Sequence, residues 1–262
     1  MLNSKVALGA AAIVVAVAGA SASSSAATIA ALQDGKSIVW IDTDKMKVTG
    51  TVKLAGGASL VGIDVRPADG KLYGVTPEGA IVTVDAKSGK WEKKSQITEK
   101  LPAGATFSVD FNPAADRLRV LTSTGTSLRI NVEDGKTIVD GSLKYADADA
   151  NKGKTPKVTA GAYSNSFAGT KETNLYDFDT GNKAYVRQAP PNDGVLNTLS
   201  KLNLTAPIAF DILSDGKGGN TGWVLAGGTL YSLDIATGAT TAKGKVAGLK
   251  GRISDIAILP AM

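Results

Sequence analysis

An internal repeat of about 46 residues constrains the fold of this chain more than any other feature of its sequence. Each copy combines short apolar strands with an Asp or Asn that begins a Gly-containing turn. The turn copies begin at Asp85, Asn131, Asp177 and Asp234, with a degenerate fifth at Asp42. Four strands in about 46 residues is the period of a propeller blade. The sequence therefore predicts an all-β, five-bladed β-propeller with four strands in each blade.

The two ends of the chain supply the strands of the fifth blade. One strand, residues 253–259, follows the last repeat, and three unassigned strands, near residues 28–32, 37–41 and 48–54, precede the first. We therefore expect the C-terminal strand to pair with the N-terminal strands and close the ring, which removes the open sheet edges of a linear array. The third repeat is irregular. Its second strand has no clear place between residues 164 and 173, and residues 190–204 lengthen the spacing to the next turn.

The first 22 residues have the layout of an export segment. Lys5 precedes an apolar run over residues 6–20, and Ala20, Ser21 and Ala22 form an A-x-A cleavage site, as in a signal peptide. An uncleaved membrane anchor is the alternative, because residues 6–22 as a helix would extend about 25 Å, slightly less than a hydrocarbon core of about 30 Å. Both interpretations place the propeller domain, residues 23–262, in the periplasm or outside the cell, because Lys5 keeps the N-terminus cytoplasmic.

The composition excludes much of the usual catalytic chemistry. The 262 residues include no His and no Cys, so Ser-His and Cys-His nucleophilic pairs, disulfides and imidazole-ligated or thiolate-ligated zinc cannot form within the chain. The net charge is +5, but the Lys residues are spread along the sequence and form no basic run with interleaved aromatics. Binding to nucleic acid is therefore not expected, and the protein is not expected to be an enzyme.

Three aspartates recur at one position of the strands that open the repeats. Alignment of these strands places Asp64, Asp110 and Asp211 together. Carboxylates converging on a central channel suit glycoside hydrolysis, which needs two of them about 5 to 9.5 Å apart. Sugar sites also offer aromatic platforms, however, and aromatic residues make up only 5% of this chain. We therefore expect these aspartates to brace neighbouring blades by accepting hydrogen bonds from backbone N–H groups.

A loop in the third repeat carries oxygen ligands at alternate positions. Asp147, Asp149 and Asn151 have the spacing that a hard cation such as Ca²⁺ prefers. The loop is not an EF-hand, because Lys152 and Val158 stand where that motif requires Gly and a bidentate Glu. Two interpretations remain open, namely a Ca²⁺ site completed by other loops and a solvated Asx-turn loop.

The middle of the chain resembles a known family. Its motifs are Asp110-Phe-Asn-Pro113, Asp116-Arg-Leu-Arg119, Leu128-Arg-Ile-Asn131, Asp149-Ala-Asn151, Ala162-Tyr-Ser-Asn-Ser-Phe-Ala-Gly169 and Pro190-Pro-Asn-Asp-Gly194. They resemble an exported bacterial β-propeller family of unknown function, domain of unknown function 4394. The resemblance implies the propeller fold and export, but it carries over no catalytic residue.

These observations favour a non-catalytic binding or scaffold propeller outside the cytoplasmic membrane. We expect an accessory subunit that docks on the periplasmic face of a membrane protein complex, with a carboxylate-dependent or Ca²⁺-assisted hydrolase at the channel as the alternative. The extra residues of the third repeat are the predicted docking surface, because loops added to one face of a propeller often carry binding. The predicted partner-binding residues are Asn192, Asp193, Leu196 and Leu199.

Overall fold

Five sheets form the blades of a ring in the computed structural model, which describes residues 27–259; each has four antiparallel strands, and one also has a short parallel strand at its outer edge. The chain begins with β1 (Thr28–Gln33), β2 (Ser37–Asp42) and β3 (Lys47–Lys53), which belong to blade 5. Blade 1 consists of β4 (Gly62–Val65), β5 (Leu72–Val75), β6 (Ala80–Val84) and β7 (Trp91–Gln96). Blade 2 consists of β8 (Phe107–Asn112), β9 (Arg117–Thr122), β10 (Ser127–Ile130) and β11 (Thr137–Val139).

The second half of the chain forms the remaining blades. The short strand β12 (Lys144–Tyr145) precedes blade 3, which consists of β13 (Val158–Tyr163), β14 (Leu175–Asp179), β15 (Ala184–Gln188) and β16 (Val195–Lys201). Blade 4 consists of β17 (Ile208–Ser214), β18 (Asn220–Ala226), β19 (Thr229–Leu233) and β20 (Thr240–Lys245), and β21 (Ile253–Leu259) completes blade 5. Two 3-10 turns, Ala55–Gly57 and Pro191–Asp193, lie between strands. The predicted five-bladed propeller is confirmed.

The ring closes through the two ends of the chain, as the sequence predicts. Strand β21 pairs antiparallel with β1, which brings Ile258 opposite Ile29 and Ile256 opposite Ala31. Strands β1, β2 and β3 then continue the sheet outwards. All four of these facing residues are buried. The closure therefore combines backbone pairing with apolar burial, and it makes β21 the innermost strand of blade 5.

Asx turns between the outer strands set the repeat. In blade 1 the side chain of Asp85 accepts hydrogen bonds from the backbone N–H groups of Lys87 and Ser88, at 2.8 and 3.1 Å. Gly89 ends this turn with a φ of +71°, a conformation that L side chains rarely adopt. A Cβ at Gly89 would also overlap the carbonyl oxygen of Lys53 in blade 5. The turn therefore needs glycine both for its own geometry and for blade packing.

The apolar core is divided among the junctions between blades. Each of the five clusters of buried apolar side chains combines residues of neighbouring blades. The cluster between blades 2 and 3 draws on Leu121 of blade 2, on Leu143 and Tyr145 around β12, and otherwise on blade 3. This junction also holds a buried polar network around Arg119, which is 2% exposed.

In the third repeat, the turn predicted to join the two outer strands joins the two middle strands instead. Asp177 lies within β14, the second strand of blade 3, and the following turn joins β14 to β15 rather than the two outer strands. The outer turn of this blade is residues 189–194, and Val195–Lys201 is its fourth strand, outside which β12 pairs in parallel. Residues 190–204 are therefore mostly a required part of the blade, and the prediction that they are additional is wrong. The added length lies in residues 140–157 and in the loop over residues 164–174.

The predicted export segment, residues 1–22, lies outside the described residues. Within residues 27–259, no helix has both the length and the apolar character needed to cross a membrane.

Candidate functional site

The innermost strands bring four buried aspartates together around the central channel. Asp64, Asp110, Asp211 and Asp255 lie on β4, β8, β17 and β21, and each is 4 or 5% exposed. Carboxylate oxygens of the first three lie within 4.8 Å of one another. The position shared by Asp64, Asp110 and Asp211 therefore faces the channel, as the alignment predicts, and Asp255 of the closing strand joins them.

Each of these carboxylates is bonded to the backbone of the next blade. Asp64 accepts a hydrogen bond from the N–H of Phe111 at 2.7 Å, and Asp110 accepts one from Tyr163 at 2.9 Å. The other two bonds follow the same direction around the ring, from Ile258 to Asp211 at 2.6 Å and from Ile63 to Asp255 at 3.0 Å. The expected bracing role is therefore what the structure shows.

The junction between blades 3 and 4 lacks this bond. On the face of β13 that packs against blade 4 the chain has Ala160 and Ala162, which contact a cluster that includes Ile208 and Phe210 of β17. Apolar packing replaces the carboxylate here. Four of the five junctions are therefore braced by Asp, and one depends on apolar contact.

Burial and mutual repulsion raise the pKa values of the channel carboxyls. For Asp64 and Asp110 the pKa is raised well above its ordinary value, first by burial and then by the charges of neighbouring channel aspartates. Burial raises the pKa of Asp211 to about 7 and that of Asp255 well above its ordinary value. The backbone N–H groups oppose these shifts, because they stabilise the charged form. Carboxyls this close can share protons, and the ring carries less negative charge than four exposed aspartates would.

In the loop predicted to hold Ca²⁺, most side-chain oxygen atoms already accept hydrogen bonds or form an ion pair within the protein. Asp149 accepts hydrogen bonds from the Thr198 N–H at 2.6 Å and hydroxyl at 2.9 Å, and from the Asn151 N–H at 2.7 Å. The side-chain oxygen of Asn151 accepts a bond from Lys154. Asp147 is 95% exposed and pairs with Lys152 at 3.0 Å. This hydrogen bonding is that of the Asx-turn interpretation, in which the loop supports β16.

Part of the predicted docking surface instead joins blades 2 and 3. The side chain of Asn192 accepts a hydrogen bond from the Arg119 guanidinium at 2.8 Å, and its carbonyl accepts one from the N–H of Gly141. Arg119 also pairs with Asp140 at 2.5 Å. Leu196 is fully buried in the apolar cluster of this junction. The prediction that the Leu196 side chain contacts a partner is therefore wrong, because solvent does not reach it.

The two other predicted partner-binding residues remain at the surface. Asp193 is exposed in the turn before β16, and Leu199, on β16 itself, is 39% exposed. No binding role has been tested for either residue, or for the surface part of Asn192. They remain predictions.

A cavity of about 810 Å³ opens where the innermost strands begin. Its wall includes the starts of β17 and β21 and residues directly before β8 and β13, so it lies at one mouth of the channel. Turns between the middle strands of blades 3 and 4 complete the wall. The cationic residues of the wall are Lys157, Lys245 and Arg252, and its hydroxyl-bearing residues are Thr106, Thr159, Thr180 and Ser254.

The charges of the cavity wall are not compensated by its own residues. The wall contains no Asp or Glu, and no ion pair within residues 27–259 involves Lys157, Lys245 or Arg252. On the opposite face, Arg66 pairs with both Asp116 and Glu133 at 2.6 Å. Sequence reasoning missed this cavity, because Lys157 is separated from Lys245 and Arg252 by most of two repeats, and no shared motif links the three cations.

The architecture and the braced acidic channel define a five-bladed β-propeller protein. The chain belongs to the family described as domain of unknown function (DUF4394), which matches residues 37–257. This confirms the resemblance seen in the motifs of the central repeats. No curated protein matches the sequence.

Solved structures share the fold at low sequence identity. A protein of unknown function from Bacteroides caccae aligns with a TM-score of 0.50 and 13% identity, covering 90% of this chain and 100% of its own. A protein of unknown function from Bacteroides thetaiotaomicron aligns with a TM-score of 0.56 and 17% identity, covering 88% of this chain and 61% of its own. A chain of a nidogen/laminin complex aligns with a TM-score of 0.53 and 11% identity, covering 89% of this chain and 98% of its own. At these identities the similarity shows the fold alone.

Proposed function

We propose that this protein is a non-catalytic binding module whose binding face is the channel mouth. It works outside the cytoplasmic membrane as an accessory subunit docked on the periplasmic face of a membrane protein complex. The observation that carries the binding role is the cavity of about 810 Å³, a volume within the range of about 300–1,000 Å³ that is usual for ligand sites.

The state of the channel carboxylates supports a binding role over hydrolysis. Asp64 and Asp211 each accept two backbone hydrogen bonds, one from the following residue and one from the next blade. A carboxylate held in this way at 4 or 5% exposure has little access to a sugar substrate. Hydrolysis would need these groups to give up bonds that hold the ring together, whereas binding at the mouth leaves them in place.

The mouth face also offers the better surface for a partner. It presents uncompensated cations beside apolar residues such as Pro207 and Leu249, so a partner can gain both charge pairing and apolar burial. On the opposite face, Arg66 and Lys94 pair with acidic residues of the chain. Cations there that form no ion pair within the described residues, such as Lys87 and Lys90, lie in exposed turns. Location outside the cytoplasmic membrane is supported by the export segment in the sequence.

Site-specific photo-crosslinking in membranes tests this proposal. A photoreactive residue at Ala206, exposed on the cavity wall, is compared with one at Ser88, exposed in the turn between β6 and β7. In an antiparallel blade this turn lies at the end opposite to the starts of the innermost strands, so Ser88 reports on the other face. We expect a discrete crosslinked membrane protein from position 206 only. Equal crosslinking from both positions, or none from position 206, would contradict the proposal.

A further inference from the structure

We propose that the cavity at the channel mouth binds a small organic anion, in which one or more carboxylate or phosphate groups are attached to a hydroxylated, non-aromatic body. This inference rests on the binding role proposed above and names the ligand class of the same site. It follows from the charge, the hydrogen-bonding groups and the shape of the cavity wall.

The charge of the wall selects for an anion. Lys157, Lys245 and Arg252 line one cavity, and no carboxylate lines it with them. Bringing three like charges to one wall raises the electrostatic energy of the empty site, and an anionic group relieves it. Arg and Lys both bind carboxylate and phosphate oxygens through charge-assisted hydrogen bonds.

The three cations are attached to well-fixed backbone. The N–H of Arg252 donates to Asp34 at 2.9 Å, and the N–H of Lys157 donates to Asp179 at 3.0 Å. Lys245 pairs with Thr229 across the β19 and β20 ladder. The carboxylates of Asp34 and Asp179 thus accept backbone N–H groups of wall residues, and neither forms an ion pair with a cationic side chain of the wall. A binding site gains affinity when its groups are held in place before the ligand arrives.

The uncharged residues of the wall indicate what the rest of the ligand is like. The hydroxyl of Thr106 can donate to and accept from ligand hydroxyls, and those of Thr159 and Ser254, which donate to Thr180 and to the Leu32 carbonyl, can accept. The backbone of Gly227 and Gly228 is bare, because nothing lies within 4 Å of a Cβ placed on either residue, so a ligand can approach it closely. The wall contains no aromatic side chain on which a sugar ring or a nucleobase could stack. These features favour ligands held by charge pairing and hydroxyl hydrogen bonds, such as sugar acids and polyol phosphates, over ligands held by ring stacking, such as nucleotides.

The channel beneath the cavity does not oppose this charge preference strongly. Asp211 and Asp255 follow Ile208 and Ile253 of the wall by three and two residues, which places them about 7–10 Å further along the strands. Each accepts two backbone N–H groups, and burial favours its protonated form. The acidic ring therefore repels an anion at the mouth less than exposed carboxylates would.

Calorimetric titration of the full-length protein tests the inference with three probes. Digalacturonic acid carries carboxylates on a sugar body, glycerol 3-phosphate carries a phosphate on a polyol, and galactobiose is the neutral sugar control. We expect at least one of the two anions to bind, and galactobiose to bind at least about tenfold more weakly, because each charge-assisted contact contributes about tenfold or more to affinity. Which anion binds identifies the source of the charge, and either result supports the inference.

Matched triple variants locate the site. Lys157→Gln, Lys245→Gln and Arg252→Gln together should abolish measurable anion binding, whereas Lys87→Gln, Lys90→Gln and Lys136→Gln on the opposite face remove the same charge and should leave affinity within about twofold. Failure of both anions to bind, equal binding of galactobiose, or equal loss in the two triple variants would overturn the inference. If anion binding is absent while the crosslink from position 206 persists, the ligand class alone is wrong and the proposed function stands.

Discussion

The carboxylate of Asp64 in blade 1 accepts a hydrogen bond of 2.7 Å from the backbone N–H of Phe111 in blade 2. The same bond recurs at three other junctions of the ring. The Asp side chain is short, and its carboxylate reaches a backbone donor of the neighbouring innermost strand directly. The bracing aspartates therefore fix the positions of the strands whose first residues form the cavity at the mouth.

Removal of one brace should destabilise the ring. Asp64→Ala leaves the N–H of Phe111 buried without its acceptor, and we expect the free energy of unfolding to fall by about 1–3 kcal/mol. Urea denaturation at pH 7 measures this change. Asp147→Ala is the matched control, because the Asp147 side chain is 95% exposed and should change stability little. An unchanged midpoint for Asp64→Ala would show that the bond does not hold the blades.

The contribution of Asp211 to the stability of the fold should decrease as the pH rises from about 4 to about 7. The pKa of Asp211 is about 7 in the folded state, because of burial, against about 3.9 in an unfolded chain. Between these values the folded state binds more protons, so this contribution is greatest at low pH and is lost as the pH passes the folded pKa. Chemical denaturation at several pH values should give a smaller decrease for Asp211→Asn than for the wild type. The same decrease in both proteins would contradict this assignment.

Replacement of Asp177 should make the stability of the protein less sensitive to alkaline pH. Both carboxylate oxygens of Asp177 are buried without a hydrogen-bond partner, and burial raises the pKa of this group well above its ordinary value. Asp177→Asn keeps the shape and cannot ionise, so we expect the variant to lose less stability than the wild type as the pH rises from neutral to alkaline values. Thermal and urea denaturation measure the effect. An equal loss in both proteins would show that attraction to Arg119, which opposes the pKa shift, outweighs the cost of burial.

Calcium should leave the thermal stability unchanged. The oxygens of Asp149 and Asn151 already accept hydrogen bonds within the loop and from β16, so a cation would have to displace these donors. We expect equal melting temperatures in millimolar Ca²⁺ and in chelator. A Ca²⁺ site saturated at a hundred times its dissociation constant would instead add about 2.7 kcal/mol. A stabilisation of that size, abolished by Asp149→Asn, would restore the Ca²⁺ interpretation.

Features repeated along the sequence were the ones that could be predicted from it. The period, the strand over residues 253–259 that closes the ring and the shared position of Asp64, Asp110 and Asp211 each depend on recurrence. Recurrence also produced the error in blade 3. The turn after Asp179 uses the same Asx hydrogen bonds as the outer turn after Asp85, so the two turns look alike in sequence although they join different strands.

The cavity at the mouth could not be predicted in this way. Lys157, Lys245 and Arg252 come from different blades, and none of them belongs to a repeated motif. Their proximity depends on the packing of blades 3, 4 and 5, which places the starts of β13, β17 and β21 around one opening. The role of Asn192 was hidden for a related reason, because its contact with Arg119 joins residues 73 positions apart.

The most direct test asks whether partner binding depends on the channel carboxylates or only on the residues at the channel mouth. Asp110→Asn replaces the channel carboxylate that has one backbone bond to the next blade, and it is compared with the wild type in crosslinking from position 206. A binding module that works through its mouth should give the same crosslinked partner and yield with either residue at position 110. If the folded Asp110→Asn variant loses the partner while the wild type keeps it, the channel carboxylates carry the function and the account is wrong.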